Sequence, residues 1–162
     1  IMKSLKIINR VETNVLGMSV SGVTLEVQNS EYEGMTLQLG DHLVRARLAK
    51  KTPTKQGYFV VCWEKNCQNK NQPFTVENSP ERLIVNITDG EQSGQFVFSK
   101  SILVRKSILS HDDVVGKMAF RVYPSWESNL NQTAKKTQDW QMPYFIDCSQ
   151  SVLDKNKIAK LF

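Results

Sequence analysis

Residues 41–65, DHLVRARLAKKTPTKQGYFVVCWEK, decide how the rest of the chain is read. Val44, Ala46, Leu48 and Lys50 alternate with Arg45, Arg47 and Lys51, so two faces of one extended segment can be told apart. Pro53 has no amide to give and Gly57 permits a turn, so residues 52–57 break the ladder. A second strand begins at Tyr58 and runs to Trp63. A lysine on a core-directed face must be paired, snorkel to water or meet a ligand, which makes Lys50 the residue to explain. The expectation is that it points into a phosphate-binding groove.

Outward from this hairpin, residues 32–39 form the preceding strand, so 32–39, 43–51 and 58–63 are expected to form a meander. Residues 4–16 have apolar positions at helical spacing, with Ser4 able to cap and Gly17 placed to stop the helix. Residues 18–28 alternate as a strand or an extended approach. Residues 65–73 carry no periodicity and read as a surface loop. Two apolar strands, 82–88 and 95–98, are joined through Asp89-Gly90, where Asp89 and Glu91 read as turn residues. A short helix within 99–109, a strand at 117–123 and a helix at 131–142 ended by Pro143 follow. Residues 144–148 close the sheet, and 152–162 form a short helix or a tail.

The fold class is therefore α/β, one domain over 1–162 with its core at 3–146. It has a mixed, largely antiparallel sheet flanked by helices. With 162 residues, 40% hydrophobic and 23% charged, the chain has the composition of an ordinary folded protein. No apolar run is long enough for a membrane span or a signal peptide, so an intracellular location is expected, with Met2 the natural start. Cys62, Cys67 and Cys148 read as reduced thiols, because Cys62 and Cys67 lack the companion ligands of a zinc site.

The positive charge is unevenly spread. Residues 41–70 hold Arg45, Arg47, Lys50, Lys51, Lys55, Lys65 and Lys70 against Asp41 and Glu64. Residues 99–136 hold Lys100, Arg105, Lys106, Lys117, Arg121, Lys135 and Lys136 against Asp112, Asp113 and Glu127, while the segment between is acidic. Two basic blocks that meet in the fold make a polyanion-binding face. Tyr123, Trp126 and Trp140 lie close to these cations and can stack on bases, whereas Trp63 reads as core. No helix-turn-helix or zinc-finger spacing is present, which favours RNA or single-stranded DNA over a duplex. The expected contacts are Arg47, Lys50, Lys51, Lys55, Lys117, Arg121 and Lys136, with Tyr123, Trp126 and Trp140 stacking.

Enzymatic classes fare less well. The histidines, His42 and His111, are not held as a triad requires, and no glycine-rich loop precedes Lys-Ser or Lys-Thr. Magnesium-dependent phosphodiester cleavage needs an acid two residues before a lysine on one strand, yet Leu48 precedes Lys50 at that spacing. No Asp or Glu stands two before any lysine of the chain. Glu31, Glu33 or Asp41 remain the candidates for a degenerate metal site. No catalytic residue, metal or cofactor is expected. A magnesium nuclease and a small-molecule or protein-binding domain in drug response are the alternatives.

Five separated runs resemble the MepB family: RLAKKTPTKQG at 47–57, NQPF at 71–74, GQFVF at 94–98, RVYPSW at 121–126 and KTQDWQMPYF at 136–145. The resemblance covers most of residues 3–146, in the family's order. These are bacterial cytoplasmic proteins, one of which is encoded with a multidrug efflux pump and its repressor. The resemblance implies a core similar to PD-(D/E)XK endonucleases without their full catalytic set, and nucleic-acid binding as the activity.

Overall fold

The computed structural model describes residues 2–162. The chain opens with α1 (Lys3–Ile8), which widens into a π-helical turn (Asn9–Thr13) and stops at Gly17 with φ +72°. Then come β1 (Val20–Leu25), β2 (Met35–Leu39), β3 (His42–Leu48), β4 (Lys50–Lys51), β5 (Tyr58–Val61), β6 (Trp63–Lys65) and β7 (Asn71–Pro73). The second half holds β8 (Arg82–Asp89), β9 (Gln92–Ser99), α2 (Lys100–Arg105), β10 (Ala119–Val122), α3 (Gln132–Gln141), β11 (Phe145–Asp147) and α4 (Lys155–Ala159).

A six-stranded sheet runs β1-β2-β3-β8-β9-β11, antiparallel throughout except where β3 and β8 run parallel. Alternation sends Val44, Ala46, Ile84 and Val97 to one face, where Ile7 and Ile8 of α1 and Val11 of the π-helical turn cover them. Leu83, Val85, Phe96 and Phe98 face the other way and pack under α2 and the three-stranded sheet β10-β5-β4. The mixed α/β architecture with a largely antiparallel sheet is as expected from the sequence.

The meander is not. Residues 58–61 leave the large sheet and pair with β4 and β10, Phe59 standing between Lys50 and Arg121. The departure happens at buried Ala49, whose backbone amide donates to Asn86 O at 2.9 Å while Asn86 Nδ2 donates to Arg47 O at 3.3 Å. One asparagine thus pins both sides of the corner. The corner carries Lys50 out of the core to an exposed position, so it does not share the buried surroundings of Leu48.

Two further expectations change. Residues 65–73 include a ribbon, because β6 and β7 pair from Trp63↔Pro73 to Lys65↔Asn71. This leaves Trp63 half-buried at the ribbon instead of in the core. The terminal segment is no loose tail: Ile158 is fully buried, and Arg82 donates to Leu161 O at 2.7 Å and Phe162 O at 3.1 Å.

Polar groups also enter the core beneath α1. Glu12 is fully buried, and Gln95 donates from Nε2 to Glu12 Oε1 at 2.8 Å and to Asn86 Oδ1 at 3.0 Å. Glu12 Oε2 and Gln95 Oε1 have no partner. Burial pushes the Glu12 carboxyl up to about 8, against the lowering effect of the Gln95 hydrogen bond.

Helix α3 carries the side chains that matter below, and it begins at Asn131, whose Oδ1 accepts the Ala134 amide at 2.8 Å. Asn131→Ala is expected to lower stability by about 1 kcal/mol, measured by urea unfolding, whereas Asn131→Asp leaves it nearly unchanged. Equal losses for both variants would remove the cap from this account.

Candidate functional site

Two buried glutamines one turn apart fix α3 against the segment around β10. Gln141 accepts the Tyr123 amide at 2.9 Å and donates to Arg121 O at 2.9 Å, closing the outer edge of the small sheet. Gln138 donates to Pro124 O at 3.0 Å and to Glu127 O at 3.1 Å. Between the elements so held lies a groove of about 280 Å³ lined by Lys106, Lys117, Arg121, Tyr123, Thr137 and Trp140 among others. A second groove of about 400 Å³ adjoins it, sharing Arg121 and Tyr123 and adding Lys55, Gln56, Asn131 and Thr133. Among the described residues, no Asp or Glu lines either groove.

Each wall has a structural reason. Arg121 donates to Thr52 Oγ1 at 2.6 Å and Gln56 O at 3.1 Å, which fastens the 52–57 turn to β10 and brings Lys55 alongside. Gly57 takes φ +79°, and a Cβ there would lie 2.6 Å from Tyr123 Cε1, so only glycine lets this turn close on the ring. Trp140 is half-buried, with its ring 5.6 Å from that of Phe98 and Lys106 Nζ 5.5 Å from its centroid. Neither Lys106 Nζ nor Lys117 Nζ bonds to another described residue, so both charges are free for a ligand.

A strip of cations and rings leads away from the grooves across the outer face of the small sheet. Arg121 lies 5.7 Å from the Phe59 ring, Phe59 meets Tyr32 edge-on at 6.2 Å, and Lys50 Nζ is 5.3 Å from the Tyr32 ring. Cross-strand pairing explains the row, since Arg121, Phe59 and Lys50 are register partners on neighbouring strands.

Of the residues expected to contact phosphate or base, Lys55, Lys117, Arg121, Tyr123 and Trp140 come together in the grooves, and Lys50 lies on the strip. Arg47 does not belong with them. It is fully buried, with its guanidinium on the Glu26 carboxylate at 2.5 and 3.1 Å and on Val61 O at 3.0 Å, so no ligand reaches it. Lys51 points to the opposite face from Lys50 and pairs with Asp89 at 3.4 Å. Trp126 donates to Tyr58 Oη at 3.0 Å and packs edge-on against Phe145 at 5.8 Å, which makes it a support of the core and not a platform. Lys136 is exposed on α3 but lines neither groove; the cation over Trp140 is Lys106.

Asp89 is more than a turn residue. The Tyr58 hydroxyl donates to it at 2.7 Å and, with Lys51, holds its carboxyl below the usual range. Burial and Asp89 in turn push the Tyr58 phenol up, so it stays a donor. Burial likewise raises the thiols of Cys62 to about 11 and Cys148 to about 12, leaving both unreactive at neutral pH.

The acids considered for a metal site are placed otherwise. Glu33 accepts the Lys3 and Ser4 amides at 3.2 and 2.8 Å, closing the start of α1. Asp41 lies in the β2–β3 turn, at the opposite end of β3 from Lys50, and Glu31 is exposed. Among the described residues, no three His, Cys, Asp or Glu side chains gather as metal ligands.

Lys106, Phe59 and Tyr32 escaped the sequence reading. Phe59 had a readable signal, since it alternates with Tyr58 and Val60 and so faces outward if they face in. Lys106 had none, because only tertiary packing brings it to Trp140.

The fold and the groove define a mixed α/β protein with a basic, aromatic-walled cleft beside its principal sheet. The chain belongs to the MepB-like family, whose model matches residues 26–147. A solved structure, the crystal structure of MepB, is 41% identical, with a TM-score of 0.81 over 93% of this chain and 100% of that one. Comparison with curated proteins gives no match. Among the described residues, no helix is long and apolar enough to cross a membrane.

Proposed function

We propose that this protein binds nucleic acid as a single strand, RNA or single-stranded DNA, in the two adjoining grooves and does not cleave it. The observation that carries the reading is the meeting of Lys106, Lys117 and Arg121 around Trp140, with Lys55 in the adjoining groove, from separate parts of the chain and with no carboxylate lining either groove among the described residues. Cations track phosphates, and a ring offers every base the same stacking face, worth about 1–3 kcal/mol per base. Grooves of about 280 and 400 Å³ take nucleotide-sized groups and not the width of a duplex.

We read the core as endonuclease-like, of the PD-(D/E)XK kind, with the catalytic set incomplete. Support comes from Lys50, which keeps an exposed, phosphate-attracting charge with no acid two residues before it in the chain, and from Glu33, whose oxygens are taken by the start of α1.

The test is a salt titration of affinity for RNA, single-stranded DNA and duplex. With four phosphates neutralised, log affinity for a single strand is expected to fall against log salt with slope roughly −2.8. Lys106→Gln with Lys117→Gln should reduce that slope by about 1.4 and leave the melting temperature unchanged. A flat salt response, or a duplex bound more tightly than either single strand, would sink the reading. Labelled strands are expected to survive magnesium or manganese. Cleavage that disappears in Glu33→Ala would instead establish the nuclease alternative.

A further inference from the structure

A third basic groove lies across the large sheet from the first two, beside the flank of α1. It has a volume of about 380 Å³ and is lined by Lys3, Lys6, Arg10, Thr88 and Ser93 together with Ile7 and Cys148; no Asp or Glu lines it among the described residues. Lys3, Lys6 and Arg10 fall three and four residues apart, so one helix face carries all three. Arg10 is anchored by donation to Cys148 O and Gln150 O, whereas Lys3 and Lys6 are exposed.

The strip described above leads toward this groove. Tyr32 lies beside Lys50, and Glu33, next to it in the chain, holds the Ser4 amide at 2.8 Å. Lys3 is therefore only a few residue lengths from the Tyr32 ring. Arg121, Phe59 and Lys50 stand on three adjacent strands, about 5 Å apart per step. From Arg121 the surface thus offers a ring at Phe59, a ring and a cation at Tyr32 and Lys50, then cations at Lys3 and Lys6. The Glu33 carboxylate along this route is already occupied by two amides, and Asp89, at the tip of the β8–β9 hairpin, is turned to Lys51 and Tyr58 on the other face. Glu31, next to Tyr32, and Glu91, in the β8–β9 turn, are exposed acids flanking the route.

We propose that a long strand held in the first two grooves continues over Phe59 and Tyr32, past Lys50, into the groove beside α1, where Lys3 and Lys6 hold its phosphates. This extension rests on the single-strand reading above. It assigns α1 a part in binding that only longer ligands use, because a short strand is already accommodated around Trp140.

Labelled single-stranded oligonucleotides of about 5 and about 20 nucleotides, lengths that bracket one binding module, distinguish the two claims. Lys3→Gln with Lys6→Gln is expected to weaken binding of the long strand about fivefold at moderate salt and to reduce its salt slope by about 1.4. The short strand should bind the variant as it binds the wild type, and the melting temperature should be unchanged. A long strand bound equally well by variant and wild type overturns the extension and spares the first grooves. Equal weakening for both lengths also overturns it, because α1 would then not be a separate stretch of the path. A wild type that binds neither length overturns the single-strand reading itself.

Discussion

Glu26→Ala is expected to destabilise the protein by about 3–5 kcal/mol, a large share of the stability of a domain this size. The Arg47 guanidinium has no exposed surface, and Glu26 supplies its counter-charge in a two-pronged contact. Two further donors go to Val61 O at 3.0 Å and Ala46 O at 2.9 Å, so the side chain ties the segment after β1, the central strand β3 and the end of β5 together. Gly34 makes the space: a Cβ there would meet Asn29 Cβ at 2.8 Å and Arg47 Nη1 at 3.2 Å. Deleting the carboxylate leaves a buried cation without a partner, and this costs more than deleting the pair. Urea unfolding of Glu26→Ala, Arg47→Met and the double variant should therefore show the double losing less than the sum of the singles. A loss below about 1 kcal/mol for Glu26→Ala would show that Arg47 does not depend on this pairing.

Glu12→Gln is expected to do the opposite and stabilise the protein at alkaline pH. Folding raises the Glu12 carboxyl to about 8, well above its value in an unfolded chain of about 4.3. Below that lower value both states hold the proton and the contribution to stability is at its full level. As pH climbs, only the unfolded chain releases the proton, and each unit favours unfolding by about 1.4 kcal/mol until the folded group also ionises near pH 8. The wild type should therefore lose roughly 4 kcal/mol between about pH 5 and pH 9 from this group. Glutamine has the shape of the protonated acid and keeps an oxygen to accept from Gln95 Nε2 as Glu12 Oε1 does. The variant should hold a nearly constant stability up to about pH 8, above which the raised thiols of Cys62 and Cys148 begin to lower the stability of both proteins alike. Asp89 does not confuse the result, because its lowered carboxyl matters only as pH falls below the carboxylate range. Parallel pH profiles for wild type and variant would show that Glu12 is ionised in the fold.

What could be read from the chain was local. The apolar runs 82–88 and 95–98, the Asp89-Gly90 turn, the Pro143 stop and the Gly17 stop each depend on residues within a few positions, and they produce β8, β9, α3 and the end of the first helix as expected. The turn at Asp41 and the strands on either side of it are of the same kind. The fate of residues 58–61 was not local. Alternation shows that Tyr58 and Val60 are buried, and cannot show whether β3 or β10 lies beside them. Arg47 misled for a related reason, since a strand arginine next to other cations looks available until Glu26 is brought to it by the fold. Lys117, Arg121 and Trp140 were found because charge and aromatic character are visible in any order of residues, whereas Lys106 depended on α2 packing near Trp140.

The attachment of α3 to β10 through Gln138 and Gln141 involves amides alone. Neutral hydrogen bonds neither titrate nor feel dissolved ions as paired charges do. Raising ionic strength will thus compete for whatever anion occupies the cleft while the distance between its banks stays put, so a measured salt exponent counts displaced ions and is not blurred by the cleft changing shape.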